Sequence, residues 1–349
     1  MSGQTMKAAQ WDPVQKQVVV NDVPIPSPGS GEFLVKIISA SLCHSDLLAI
    51  ADPDRKEPIT LGHEGVGKIV AINPSAEGKG FHVGDTIGFL YVTGVCFECE
   101  GCLVHNNKCL NGPPQISGFQ APGFFAEYAI VVWQNAIILP ASMDPRTSSA
   151  FFCAGLTAFH SVDSCELKPG QWLAIVGAGG LGQLATQVAK AMGLKVVAID
   201  VNDGALAMVK NQGADYTFNS RTEADTYISS VKALTPGKHG VHAVGVFSNA
   251  APAFASAPDL LRVNGVLMAV GIAAQPIQVS VYDIVVGSYR LKAESIGTPQ
   301  RMAKAINFFA DHNIVPEVEI RPAGLSDVAN MVDEMKAGQS TKRMAVVFD

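Results

Sequence analysis

Apolar and polar positions alternate in short runs over the first 150 residues. Phe33–Ile38 and Val66–Ile72 read as strands, with Ser27-Pro28-Gly29 and Val83-Gly84-Asp85 as turn signals. The pattern changes after about Pro140. Ser148–Val162 has helical apolar spacing, and the apolar run Trp172–Val176 follows Lys168-Pro169-Gly170. A helical stretch, Gln183–Met192, and a second run, Lys195–Ile199, come next. Further apolar runs lie at Val241–Phe247, Val266–Ile272 and Leu291–Ile296, with helix-like segments between them. This order predicts an α/β chain: a mainly β domain, then a doubly wound parallel sheet. The tail is mixed, with Met302–Asp311 and Ser326–Ala337 helical and Met344–Phe348 a strand. It is too short for its own core and is placed back on the first domain. The expected division is 1–152 with 289–349, and 153–288. No internal repeat or low-complexity linker interrupts it.

Composition narrows the class. The chain has 349 residues, 48% hydrophobic and only 16% charged, so a disordered chain is excluded and about two domains are expected. The net charge is −6 with no basic run, which argues against nucleic-acid binding. The first residues lack the apolar core of a signal peptide, and Gly265–Tyr282 is broken by Gln275, Pro276 and Gln278 and reads as strand plus loop. A protein with neither a membrane span nor a membrane partner, in the cytoplasm, is the expectation. Seven cysteines, odd and unevenly spread, argue against a disulfide framework.

Three groups carry chemistry. Gly177-x-Gly179-x-x-Gly182 follows an apolar run and opens a helix, and Asp200 lies eighteen residues after Gly182. Such glycines form the turn, admit a pyrophosphate and let helix and strand pack; the N–H groups of Gly180 and Leu181 sit at the helix start. An acid at Asp200 would bind a ribose 2′-OH and repel a 2′-phosphate, favouring NAD over NADP. Cys96, Cys99, Cys102 and Cys109 lie within fourteen residues and suit a closed, structural zinc site. An iron–sulfur centre fits less well, because Leu110 stands where a proline usually follows the fourth cysteine. The lobe has only Lys108 as a base, against a nucleic-acid zinc module. Cys43, His63 and Cys153 offer two thiolates and an imidazole, the set of a catalytic zinc with an open position.

These motifs, Cys43-His44-Ser45-Asp46, Gly62-His63-Glu64-Gly65, Gly84-Asp85, the cysteine lobe, Cys153-Ala154-Gly155 and Gly177–Gly182, run over nearly the whole chain. The sequence resembles the zinc-dependent alcohol dehydrogenases of the medium-chain dehydrogenase/reductase superfamily, most of all the microbial, yeast-type members. The resemblance implies a GroES-like mainly β catalytic domain with both zinc sites, and a Rossmann NAD-binding domain. It implies two Zn²⁺ per chain, NAD(H), and reversible hydride transfer between a primary or secondary alcohol and its aldehyde or ketone. Cys43, His63 and Cys153 would hold the catalytic zinc, and the other four cysteines the structural one. Asp46 would orient His63, and Glu64 would lie close to the metal. Ser45 would start the proton relay. His44 and Arg343 would contact the cofactor pyrophosphate, Val270 would line the cofactor site, and Tyr91 the substrate pocket. A homotetramer or homodimer is implied.

Departures from the family pattern stand beside the likeness. The gap before Cys109 is six residues instead of the usual seven, so the lobe backbone should differ. Ser45 stands where many members have Thr, Leu48 where many have a relay histidine, and Tyr91 where the yeast type often has Trp. The stretch from Cys43 to His63 is about three residues short. These changes leave open a polyol, aryl-alcohol or specialised-metabolite carbonyl reductase, and, as a different class, a nucleotide- and zinc-binding protein without catalysis.

Overall fold

A computed structural model describes residues 3–273 and 275–348. The chain divides into two compact units: residues 1–153 with 297–311 and 315–349, and residues 154–296 with 312–314.

The first unit is built on the long strand Glu32–Ser41. Its alternating side chains Phe33, Val35 and Ile37 are buried, and join Ile69, Ile87, Phe89, Phe124 and Val346 in one apolar core. Along one side this strand pairs antiparallel with Glu64–Ile72, and that strand pairs in turn with Thr86–Phe89. Along the other side it meets Tyr128–Val132 at its start and Arg343–Val347 at its end. Register then places the chemistry. Ser41 faces Glu64 across one ladder and Ala345 across the other. Cys43 leaves the central strand just beyond Ser41, His63 enters just before Glu64, and Arg343 begins the third strand. Three segments far apart in sequence therefore deliver their side chains to one end of the sheet.

Cys153 reaches the same place by another route. The helical pattern of Ser148–Val162 is not one helix in the structure. A 3-10 turn over Ser148–Phe152 and an α-helix over Ala154–Asp163 meet at Cys153, whose φ −138 and ψ −69 break the repeat. Phe152 anchors the break. The outer end of its ring fills the space beside Gly88 in the strand Thr86–Phe89, where a Cβ would sit 1.7 Å from the ring's Cζ atom. A glycine inside a strand marks such a close approach.

The second unit is a parallel sheet. Among the described residues it has six strands, ordered Tyr216–Asn219, Lys195–Asp200, Trp172–Val176, Val241–Val246, Leu261–Ala269, Tyr289–Ala293. Numbered within the unit this is 3-2-1-4-5-6, the doubly wound order that binds ligands at the carboxyl ends where the winding reverses. The central strands read as apolar runs because helices cover both faces: Ala174, Val197, Val244 and Leu267 are buried. The α/β class and the Rossmann topology are those read from the sequence. Two boundaries differ. The sequence pattern returned the chain to the first domain at 289, but Tyr289–Ala293 pairs with Leu261–Ala269 as the sheet's edge, so this unit continues to Ile296. Cys153 belongs with the first unit instead of opening the second. Among the described residues no helix is long and apolar enough to cross a membrane.

The seat of Phe152 gives a direct test. Gly88→Ala forces the ring off its strand, an overpacking cost of about 1–3 kcal/mol. The thermal midpoint should fall by about 3–10 °C, with metal held at Cys153 weakened in a chelator competition. An unchanged midpoint and unchanged competition would show that the ring simply tips aside.

Candidate active site and metal centres

Asp46 is fully buried in the first turn after Cys43. Its Oδ2 accepts the backbone N–H of Cys43 at 2.8 Å, and its Oδ1 bonds His63 Nδ1, also at 2.8 Å. A carboxylate partner makes Nδ1 the donor, so Nε2 presents its lone pair. This is the usual way a ligating imidazole is oriented.

One ligand atom each from Cys43, His63, Glu64 and Cys153 lies within 4.8 Å of the others. The electrostatics are crowded. A hydrogen bond from Cys153 draws the Cys43 thiol well below its usual range; burial opposes this, and Arg343 adds to it. The same bond, with burial and the Cys43 charge, pushes Cys153 well up. Burial pulls His63 down, but Asp46, by charge and hydrogen bond, holds it well above its ordinary value. Burial also drives Glu64 up to about 8, against the pull of Arg343. Two sulfurs and an imidazole are thus crowded together. A divalent ion bound by both thiolates and the imidazole removes that conflict, so the donor set fits zinc.

Arg343 also reaches the metal site. Its side chain is nearly buried. It bonds Glu64 Oε1 at 2.8 Å, the Leu42 carbonyl at 3.1 Å and Cys43 Sγ at 3.6 Å. Ser41 Oγ donates to the other Glu64 oxygen. These contacts use Nη1 and Nη2, and Nε has no hydrogen-bond partner, so the guanidinium keeps a donor over. His44 is exposed on the turn. Ser45 begins the short helix Asp46–Ile50, but its hydroxyl makes no capping bond, which leaves it for other work. Leu48 is 57% exposed on that helix. Two rings wall His63: Tyr91 edge-on at 4.9 Å and Phe119 tilted at 5.8 Å. Phe119 carries no motif, and sequence reasoning passes over it.

The second cluster is Cys96, Cys99, Cys102 and Cys109, again within 4.8 Å. Backbone N–H groups point at the sulfurs: Cys99 to Cys96 at 3.4 Å, Cys102 to Cys99 at 3.5 Å, Leu110 to Cys99 at 3.3 Å and Asn111 to Cys109 at 3.4 Å. N–H groups of Glu98 and Cys99 draw Cys96 down to about 6. Donors aimed at three of the four sulfurs stabilise thiolates there, while burial pushes the Cys102 thiol up to about 12; the set fits a closed zinc site. The six-residue return is accommodated at Gly101. A Cβ there would stand 1.8 Å from the Lys108 carbonyl, so the short helix Glu100–Val104 packs directly on the returning backbone.

In the second unit the glycine turn divides its labour. Gly177 has φ +101, and a Cβ there would meet Ser248 N at 2.8 Å. A Cβ on Gly182 would lie 1.9 Å from the Gly177 carbonyl. These two close the strand–helix turn. Gly179 is different: nothing lies within 4 Å of its absent Cβ, and its φ −67 suits any residue. It precedes the helix Gly180–Ala191, whose first N–H groups, including those of Gly180, Leu181 and Gly182, have no intrahelical acceptor. An open cradle over a helix start fits a dinucleotide's phosphates. Asp200 is tied to the same turn. Its Oδ2 accepts Ala178 N–H at 2.6 Å, and its Oδ1 accepts those of Val201 and Asn202 at 2.7 and 2.9 Å. Three of about four acceptor positions are filled, leaving one on Oδ2. Val270 lies just past the strand Leu261–Ala269, half-buried, with its N–H on the Val246 carbonyl at 3.2 Å.

Comparison with known proteins agrees with this geometry. Residues 29–141 match the alcohol dehydrogenase GroES-like domain and residues 180–311 the zinc-binding dehydrogenase domain. An alcohol dehydrogenase of Geobacillus stearothermophilus is 32% identical over 348 residues, 99% of this chain and all of that one. The solved alcohol dehydrogenase of Aeropyrum pernix superposes with TM-score 0.86 at 25% identity, covering 98% of this chain and all of that one. The acetophenone reductase of Geotrichum candidum, solved in complex with NAD, shares the fold at TM-score 0.84 and 24% identity, covering all of this chain and 98% of that one. The chain belongs to the zinc-dependent alcohol dehydrogenases of the medium-chain dehydrogenase/reductase superfamily. It is an alcohol oxidoreductase whose cofactors are zinc and NAD(H).

The glycine turn supplies the test here. Gly179→Ala should fold with an unchanged thermal midpoint but weaken NADH binding about tenfold, or about 1.4 kcal/mol, in a fluorescence titration. Undiminished binding would take the cradle away from Gly179.

Proposed function

We propose that this chain catalyses the reversible oxidation of a primary or secondary alcohol with NAD, in the cytoplasm, as a homotetramer or homodimer. The convergence of Cys43, His63, Glu64 and Cys153 within 4.8 Å carries the reading. Cys43, His63 and Cys153 hold the catalytic zinc, and Cys96, Cys99, Cys102 and Cys109 the structural one. A zinc held there would supply Lewis-acid polarisation of the reacting oxygen, and bound NAD(H) would supply the hydride chemistry. The remaining work belongs to side chains. Asp46 fixes the imidazole and the Cys43 backbone together. Arg343 balances Glu64 beside the metal, so the carboxylate stays close without ligating permanently. Ser45 Oγ takes the alcohol proton. Leu48 can neither donate nor accept, so no imidazole finishes the relay and the proton passes to water. Asp200 offers its remaining acceptor to a ribose hydroxyl, supporting NAD over NADP. Tyr91 and Phe119 bound the space in which the alcohol lies.

The assembly rests on a different surface. Tyr289–Ala293 is an edge strand of the parallel sheet, and Leu291 on it is 41% exposed. Val281, Tyr282 and Val285, on the preceding short helix, are exposed as well. An apolar edge of this kind is covered in a stable protein, and a second copy covers it symmetrically. All seven cysteines are free, as in a reducing compartment.

The test is NADH absorbance with a graded alcohol–aldehyde series, on a sample whose zinc content and mass are measured. Turnover with two zincs per chain in a dimer or tetramer is expected. Ser45→Ala should lower kcat about a hundredfold while zinc content stays the same. Near-normal kcat would remove Ser45 from the relay.

A further inference from the structure

The segment between the helix Asp46–Ile50 and the strand Ile59–Thr60 is the shortened stretch of the chain. Residues 51–58 have no regular structure and are exposed, with one exception. Arg55 turns inward, its side chain 12% exposed. Its Nη2 donates to the Phe119 carbonyl at 2.6 Å, and its Nε to the Ala49 carbonyl at 3.3 Å. Asp52 Oδ2 lies 3.6 Å from the same Nη2, and Asp52 Oδ1 caps the turn by accepting Asp54 N–H at 3.0 Å. The guanidinium thus clamps two backbone segments that are 70 residues apart.

Each segment leads to the reaction site. Ala49 belongs to the helix that carries Asp46. Phe119 stands in the tight turn after Gln115–Ile116, its N–H bonded to Ile116. Its ring leans on His63 at 5.8 Å, and Ser117 of that turn donates to the Tyr91 carbonyl at 2.9 Å. An alcohol whose oxygen reaches a metal held by His63 must pass the rings packed on His63. The position of Phe119 therefore sets how much room the rest of the alcohol has. No side chain of the 51–58 segment fills that room. The segment's part is to hold the wall.

We propose that Arg55 is a positioning residue that fixes the Phe119 wall of the substrate pocket, and through it the preference between short and bulky alcohols. The proposal rests on the functional reading above. A charge-assisted bond to a carbonyl is among the stronger protein hydrogen bonds, and the planar guanidinium meets the two carbonyls from two separate nitrogens of one rigid fork. A lysine would have to reach both from a single flexible ammonium nitrogen. The wall is held by its backbone, so its loss frees the Phe119 ring without touching any metal ligand.

The test compares wild type, Arg55→Met, Arg55→Lys, Phe119→Ala and the Arg55→Met/Phe119→Ala double variant on ethanol-sized and benzyl-sized alcohols, with zinc content measured throughout. Arg55→Met should raise KM for the small alcohol with little change in kcat, shifting kcat/KM about tenfold toward the bulky one. Arg55→Lys should recover part of that shift. In the Phe119→Ala background, Arg55→Met should change selectivity less than about twofold, because the two residues act as one. Selectivity unchanged in Arg55→Met, effects that multiply in the double variant, or a loss of kcat at constant KM would each overturn the proposal. If Arg55→Met does not fold, Arg55→Lys alone and combined with Phe119→Ala decides by the same criteria. A wild-type protein with both zincs and no turnover on any alcohol would instead overturn the functional reading, and the proposal with it.

Discussion

The first unit depends on holding several acidic groups together. Two sulfurs, a glutamate and an aspartate meet at the end of one sheet, and all but Cys153 are buried. Each is matched by a specific partner. Asp46 is divided between the Cys43 backbone and the His63 ring, so one carboxylate sets the spacing of two ligands. Glu64 is divided between Ser41 and Arg343. Cys43 Sγ takes Arg343 Nη2 at 3.6 Å, and the two sulfurs with the His63 ring form the donor set that suits a cation. The sheet is what makes this arrangement possible. The register of Ser41 against Glu64 and Ala345 is the constraint from which the positions of Cys43, His63 and Arg343 follow.

Much of this was legible in the sequence. The apolar run Trp172–Val176 is a strand over those same residues, because a strand buried on both faces has no alternation to blur its ends. The glycine turn and the cysteine lobe were legible for a related reason: their spacing is set by local backbone geometry. What escaped depends on contacts between distant segments. Tyr216–Asn219 is too short and polar to announce itself, and is a strand only because Lys195–Asp200 templates it. The apolar run at Leu291–Ile296 is a strand two residues earlier, Tyr289–Ala293, whose exposed positions Arg290, Leu291 and Ala293 mark a sheet edge that only the pairing reveals. Cys153 interrupts a helical pattern because Phe152 needs Gly88, 64 residues away. The contact of Arg343 with Glu64 and Cys43 joins residues 279 and 300 apart, and no local pattern announces it. Arg55 and Phe119 belong to no motif, since their partnership runs through a main-chain carbonyl that any residue could supply.

The two units use glycine toward opposite ends. In the cofactor unit Gly182 and Gly177 close a turn, and Gly179 leaves space beside it. In the other unit Gly88 and Gly101 are spaces already taken, one by a ring and one by a carbonyl. Openness at one glycine therefore speaks of a ligand, and contact at the others speaks of packing. The difference is invisible in sequence, where all are the same letter.

The ion pair between Glu64 and Arg343 spans 279 residues, and the bond from Arg343 to Cys43 spans 300. Closing so wide a loop is entropically costly unless the intervening chain is already compact. The cofactor unit, inserted between, has its own sheet and core, and once folded it shortens the effective loop. During synthesis, Cys43, His63 and Cys153 all leave the ribosome well before the guanidinium that balances Glu64. Until the strand Arg343–Val347 pairs with Ser39–Ser41, Glu64 has the Ser41 hydroxyl but not its guanidinium. The last strand of the chain thus completes the charge balance of a site whose sulfurs and imidazole all lie in the first half.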